Sequence, residues 1–281
     1  MGLLKSILIV AALVYVIVCA LLYFMQERVI FAAPTERVQP QFGWIEALEL
    51  QTDDDETIIG WYAPAEHAAC PTIIFFHGNA AQLDWGAARF KKMHEAGLGF
   101  LAIAYRGYSG SSGRPSESGM ITDAQTAWRW LTENKDLSSD QIVIHGHSMG
   151  SGVAVQLAAE HAPRALIMES PFYSIQSVIQ QRLPNFPISL LLKHKFRSDL
   201  HIANISAPIL MAHGSEDKVV PISQSQKLFE RAPDPKTYKT IAGQGHNNLV
   251  GTGLYETAIW PFLSDIFQEC SFAQKEEVIS Q

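Results

Sequence analysis

Cysteine is scarce in this chain, with three in 281 residues. Cys19 lies in an apolar N-terminal stretch, which leaves Cys70 and Cys270. A disulfide framework is therefore excluded, and no CxxC or zinc-type spacing occurs. Two free thiols are the expected state, with a single Cys70–Cys270 bridge left open. Positive charge is also short: 21 Lys and Arg stand against 28 Asp and Glu, a net charge of −7, without a basic run. This argues against a nucleic-acid partner held through phosphates. Internal repeats and low-complexity segments are missing. RGYSGSSG (106–113) is glycine-rich but does not open a helix, as a dinucleotide fingerprint must. No cofactor and no metal is expected.

Charge vanishes altogether from Ile7 to Met25, where twelve of nineteen residues are Leu, Ile, Val or Phe. As a helix this run spans roughly 28 Å, close to the ~30 Å hydrocarbon core of a bilayer. A signal peptide has a shorter apolar region and a small-x-small cleavage site, and QERVIFAAPTE offers a poor one. Residues 1–30 are read as an uncleaved membrane anchor and 31–281 as one globular domain. Flanking charge hardly fixes the orientation. A span at the extreme N-terminus leaves its short tail in the cytoplasm, so the large domain is expected on the extracytoplasmic side.

The globular part alternates short apolar runs with helical patterns. The runs are TIIFFHG (72–78), GFLAIAYRG (99–107), QIVIHG (141–146), ALIMES (165–170), PILMAHG (208–214) and KTYKTI (236–241). Continuous apolar runs suit strands covered on both faces of a parallel sheet. WIEALELQT and TIIGWYAP, around an acidic turn at 53–56, suit an antiparallel hairpin. Helical spacing recurs over 82–96, 118–134, 149–163 and 253–268. The expected fold is α/β, a mostly parallel central sheet with helices on both faces. Residues 172–204 interrupt the alternation and are read as a small helical cap.

One motif has the context that chemistry requires. Gly146-x-Ser148-x-Gly150 lies between an apolar strand and a helix of small residues, which suits a strained turn presenting Ser148 as a nucleophile. A serine hydroxyl needs a base, and the base needs an orienting carboxylate. In the order serine, acid, histidine, Asp217 follows the strand at 208–214 and His246 the strand at 236–241. Glu216 and Glu169 are the rival acids. Oxyanion donors are expected from the backbone N–H of Met149 and of Asn79, with Ala80 as the alternative to Asn79. His77 and His213, each before a glycine at a strand end, are expected to fix loops.

FFHGNAAQ, YRGYSGSSGRP, GHSMGSG, HGSEDKVVP and GQGHNN, in that order, resemble the α/β-hydrolase superfamily. More narrowly the chain resembles its small membrane-anchored α/β-hydrolase-domain proteins, which include protein-depalmitoylating enzymes, and QERVIFAAP after the apolar run is similar to that group. The resemblance covers roughly residues 25–268. It implies the α/β-hydrolase fold, with Ser148 as nucleophile, Asp217 as acid and His246 as base. The expected activity is hydrolysis of carboxylic esters or thioesters of lipid-like acyl substrates. A serine peptidase of the prolyl or aminopeptidase type, or a non-catalytic binding protein on the same fold, are the alternatives.

Overall fold

The computed structural model describes residues 2–270. Residues 271–281, assigned above to the globular domain, lie outside the described residues. The chain begins with α1 (Gly2–Ile30) and the hairpin β1 (Glu46–Gln51) and β2 (Thr57–Ala63). Next come β3 (Thr72–Phe76), α2 (Ala87–Glu95), β4 (Gly99–Ala104), α3 (Glu117–Arg129), β5 (Ile142–His147), α4 (Met149–His161) and β6 (Ala165–Glu169). Three short helices follow: α5 (Ile175–Arg182), α6 (Ile188–Leu191) and α7 (Ser198–His201). The chain closes with β7 (Ile209–Gly214), α8 (Ile222–Arg231), β8 (Lys236–Ile241) and α9 (Trp260–Ile266).

The eight strands form one sheet in the order β1-β2-β4-β3-β5-β6-β7-β8. Pairing is antiparallel from β1 to β4 and parallel from there to β8. Every residue of β3 and β4 is buried, as is every residue of β6 and β7, the result expected of uninterrupted apolar runs covered on both faces. The outer strands β1 and β8 are mostly exposed or half-buried. Chain direction across the sheet reverses at β3, which has β4 on one side and β5 on the other. Such a reversal splays the loops at the strands' carboxyl ends and opens a crevice there. Register aligns those ends: Phe76 opposes Gly146, His147 opposes Glu169, and Gly214 opposes Ile241.

Helix α8 was not anticipated from the sequence. Its buried residues include Gln224 and Ser225 beside Leu228, so polar side chains take part in its inner face. The cysteine expectation is corrected. Cys70 and Cys270 form a disulfide, with Cα atoms 4.9 Å apart across 200 residues of sequence. Both are buried, and the chain beyond α9 returns beside the loop that leads into β3, a proximity that spacing in the sequence does not encode.

A bridge closing so long a loop restricts the unfolded chain strongly. Cys70→Ser is expected to lower stability by about 2–5 kcal/mol. Denaturant unfolding of the variant against the unreduced parent measures it, and an unchanged midpoint would contradict the constraint.

Candidate active site

Ser148 joins β5 to α4 with φ 52° and ψ −118°, a conformation that a residue with a Cβ rarely adopts. Its N–H donates to the Glu169 carbonyl at 2.8 Å, which pins the turn to the neighbouring strand. Two glycines make the turn feasible. A Cβ on Gly150 would lie 2.1 Å from the Phe76 carbonyl oxygen, and one on Gly146 would lie 2.4 Å from the Gly150 oxygen. The turn thus packs backbone against backbone where no side chain fits.

His246 and Asp217 arrive from the loops after β8 and β7. His246 Nε2 is 2.7 Å from Ser148 Oγ, and His246 Nδ1 is 2.6 Å from Asp217 Oδ2. A carboxylate only accepts, so the imidazole proton belongs on Nδ1, leaving the Nε2 lone pair facing the hydroxyl. Asp217 Oδ1 accepts the N–H groups of Val219 and Val220, each at 2.8 Å. His213 Nε2 lies 3.1 Å from Asp217 Oδ2 and 2.9 Å from the Val220 carbonyl. Burial opposes charge on Asp217, but the hydrogen bonds from His213, His246 and the backbone outweigh it and hold the carboxyl well below the usual carboxylate range.

The rival acids do other things. Glu216 is exposed. Glu169 is buried and paired with Arg89 of α2 at 2.7 Å, and it lies 3.5 Å from His145. Burial disfavours its charge, yet Arg89 more than compensates and holds it ionised, below the usual range. Tyr255 accepts a further hydrogen bond from Arg89 at 3.2 Å.

The oxyanion candidates flank the serine. Met149 opens α4 directly after it. The loop after β3 presses on the turn, since a Cβ on Gly78 would lie 3.3 Å from Ser148 Cβ. Asn79 is anchored by its side chain: Oδ1 accepts from Ala80 N at 2.8 Å, and from Ala32 N and Tyr108 Oη at 3.0 Å each. Tyr108 belongs to the glycine-rich loop 106–113, which therefore braces this corner.

Sequence reasoning missed the groups that hold His246 from behind. Its carbonyl faces His147 Nε2 at 3.3 Å and Ser170 Oγ at 3.4 Å. It also missed His213 as a neighbour of the Asp217 carboxylate, although four residues separate them. Beside the serine lies a cavity of about 360 Å³ lined by His77, Asn79, Trp85, Arg89 and His147. Among the described residues, no group of three His, Cys, Asp or Glu side chains gathers as a metal site.

Burial pushes both His77 and His145 down to about 4. The unfolded chain takes up these protons near pH 6.5, so between that pH and 4 it binds more protons than the folded state. Stability is present above 6.5 and is lost as pH falls through this window, by about 1.4 kcal/mol per pH unit for each histidine. Melting curves between pH 7 and 4 should show a falling Tm, and His77→Gln should flatten part of the slope. A Tm independent of pH in both proteins would contradict the burial of neutral imidazoles.

The serine aminopeptidase, S33 family (Hydrolase_4) is matched by residues 67–201 and 191–251. An uncharacterized protein of Mycobacterium tuberculosis (strain CDC 1551 / Oshkosh) is 34% identical over 243 residues, which are 85% of this chain and 86% of that one. The lysophosphatidylserine lipase ABHD12 of Danio rerio is 32% identical over 209 residues, 67% of this chain and 53% of the fish protein. Among solved structures, an α/β hydrolase from Vibrio vulnificus superposes with a TM-score of 0.70 at 20% identity, covering 86% of this chain and 93% of that one. The Pyrococcus furiosus esterase Pf2001 superposes with a TM-score of 0.65 at 17% identity, covering 86% and 98%. With the family match spanning most of the globular part, the chain belongs to the Hydrolase_4 family of α/β hydrolases and is a serine hydrolase.

Proposed function

We propose that the protein is a membrane-anchored hydrolase of carboxylic ester or thioester bonds, acting on lipid-like acyl substrates through an acyl-enzyme. The observation that carries this reading is one imidazole in contact with both Ser148 Oγ and the Asp217 carboxylate. As Ser148 Oγ bonds to the acyl carbon, its proton passes to His246 Nε2. Asp217 orients the ring and stabilises the imidazolium. The developing oxyanion is met by the N–H groups of Met149 and Asn79. The bond to the leaving oxygen or sulfur breaks, and that atom takes the proton from His246. Water then attacks the acyl-enzyme, giving its proton to His246. The carboxylic acid departs, and the proton returns to Ser148.

A peptidase reading is favoured by the family's description. An aminopeptidase needs an unpaired carboxylate to hold the substrate ammonium. The carboxylate in the adjacent cavity, Glu169, is neutralised by Arg89 at 2.7 Å. This supports the ester reading over the peptidase one.

Membrane attachment through α1 is supported by its length, 29 residues, and by its mean hydropathy of 3.0 over the most apolar window. Placement of the globular part on the extracytoplasmic side is supported by the Cys70–Cys270 bridge, since disulfides persist in oxidising compartments.

A fluorophosphonate probe is expected to label the protein and to fail with Ser148→Ala. Asp217→Asn should lower kcat for an ester by about 10⁴-fold, because the ring then loses its tautomer and orientation. p-Nitrophenyl esters should be cleaved in preference to aminoacyl p-nitroanilides. Labelling that survives Ser148→Ala, or turnover of anilides alone, would sink the reading. For orientation, a membrane-impermeant maleimide should tag a Cys introduced at Glu49 in intact cells, and protection of that Cys would reverse the assignment.

A further inference from the structure

Helix α1 does more than lead into the domain. It runs beside the segment between β6 and β7, and the two touch at two seams. At one, Tyr15 stacks on Phe186 with ring centroids 5.3 Å apart, and its hydroxyl donates to the Asn185 carbonyl at 3.0 Å. At the other, Gln26 donates to the Leu191 carbonyl at 3.0 Å and accepts from Lys193 N at 2.7 Å. Beside this second seam Glu27 lies 3.5 Å from Lys193 Nζ and 3.7 Å from His194 Nε2. Eleven residues of helix separate Tyr15 from Gln26, about 16 Å, which is close to half the hydrocarbon thickness of a bilayer.

On both sides of the second seam the two walls part and leave a groove of about 500 Å³. Leu21, Met25 and Val29 line it from α1, and Leu183, Ile188 and Leu192 from the opposite wall. The two polar residues in its lining are already engaged. Gln26 bonds as above, and Arg182 donates to the carbonyls of Lys218 and Val219 at 3.0 and 2.5 Å. The rest of the lining is hydrocarbon.

The groove opens beside the lipid-compatible surface of α1. Leu13, Val14, Val16, Ile17 and Phe24 are each more than half exposed on α1, and Leu190 beside the groove is 81% exposed. At the inner end, Ile30 lines the groove and Ala32, two residues on, donates to Asn79 Oδ1. Phe31 packs on Phe196, and Phe196 abuts Gly152 in the first turn of α4. The inner end therefore rests on the elements that hold Ser148 and Asn79.

We infer that this groove holds one acyl chain of a lipid taken laterally from the bilayer, with the scissile carbonyl directed to Ser148. The inference rests on the anchor and acyl-hydrolase reading above. Its occupant follows from continuity: the medium that covers the exposed face of α1 also covers the mouth of the groove. The Glu27 and Lys193 charges mark the level at which that medium turns polar.

The test uses the full chain in phosphatidylcholine nanodiscs. Leu21→Trp and Leu183→Trp narrow the groove from opposite walls, and Phe24→Trp, on the exposed face of α1, is the control. The ratio of kcat/KM for p-nitrophenyl hexadecanoate to that for the butanoate should fall at least tenfold in the first two and hold in the control. Equal losses on both esters, or an unchanged ratio, would overturn the inference. In Ser148→Ala, a phosphatidylcholine with a diazirine on its acyl chain should crosslink to Leu21, Met25 or Leu183. Crosslinks confined to the exposed face of α1 would also overturn it. Groove crosslinks in a wild-type protein that cleaves neither ester would sink the acyl-hydrolase reading and leave the groove standing.

Discussion

The backbone at Ser148 is held in a conformation that costs on the order of 1–3 kcal/mol, and the site depends on it. Released, the turn would relax and the hydroxyl would fall back towards the sheet. Three features prevent that. The Glu169 carbonyl takes the Ser148 N–H, the Ser151 hydroxyl donates to the Ser148 carbonyl at 2.6 Å, and two glycines let backbone meet backbone. Buried strands on both sides make the arrangement stiff, because close-packed interiors resist small displacements.

Around this turn the charges are arranged so that few are left unpaired. Asp217 is surrounded by two imidazoles and two backbone N–H groups, which together outweigh its burial. Glu169 and Arg89 form a second buried pair below the cavity, and removing either partner would strand the other in a medium of low dielectric. His77 and His145 are kept neutral by burial. Between these pairs the His246 ring lies in contact with both Ser148 Oγ and the Asp217 carboxylate.

The N-terminal segment is also part of this arrangement. Two residues past the end of α1, Ala32 bonds the side chain of Asn79, and the 106–113 loop bonds the same oxygen through Tyr108. The loop beside Ser148 is thus supported by an element entering from the apolar segment and by one rising from the sheet. Arg182 ties the segment after β6 to the carbonyls just beyond Asp217. Movement of α1 against the domain would be felt at both ends of the Ser148–His246–Asp217 array.

The apolar runs, the glycines around Ser148 and the places of Asp217 and His246 after successive strands are local signals. Each reflects a constraint that acts within a few residues: burial on both faces of a strand, or a turn too tight for a side chain. They determined the α/β class, the strand order along the chain and the residues brought together in the site. The Cys70–Cys270 bridge, the supports at His213, His147 and Ser170, the Arg89–Glu169 pair and the groove along α1 were decided only by tertiary structure. These depend on residues far apart in the chain meeting after the sheet has closed. No short-range preference of an isolated segment distinguishes such a partner from an ordinary core or surface residue.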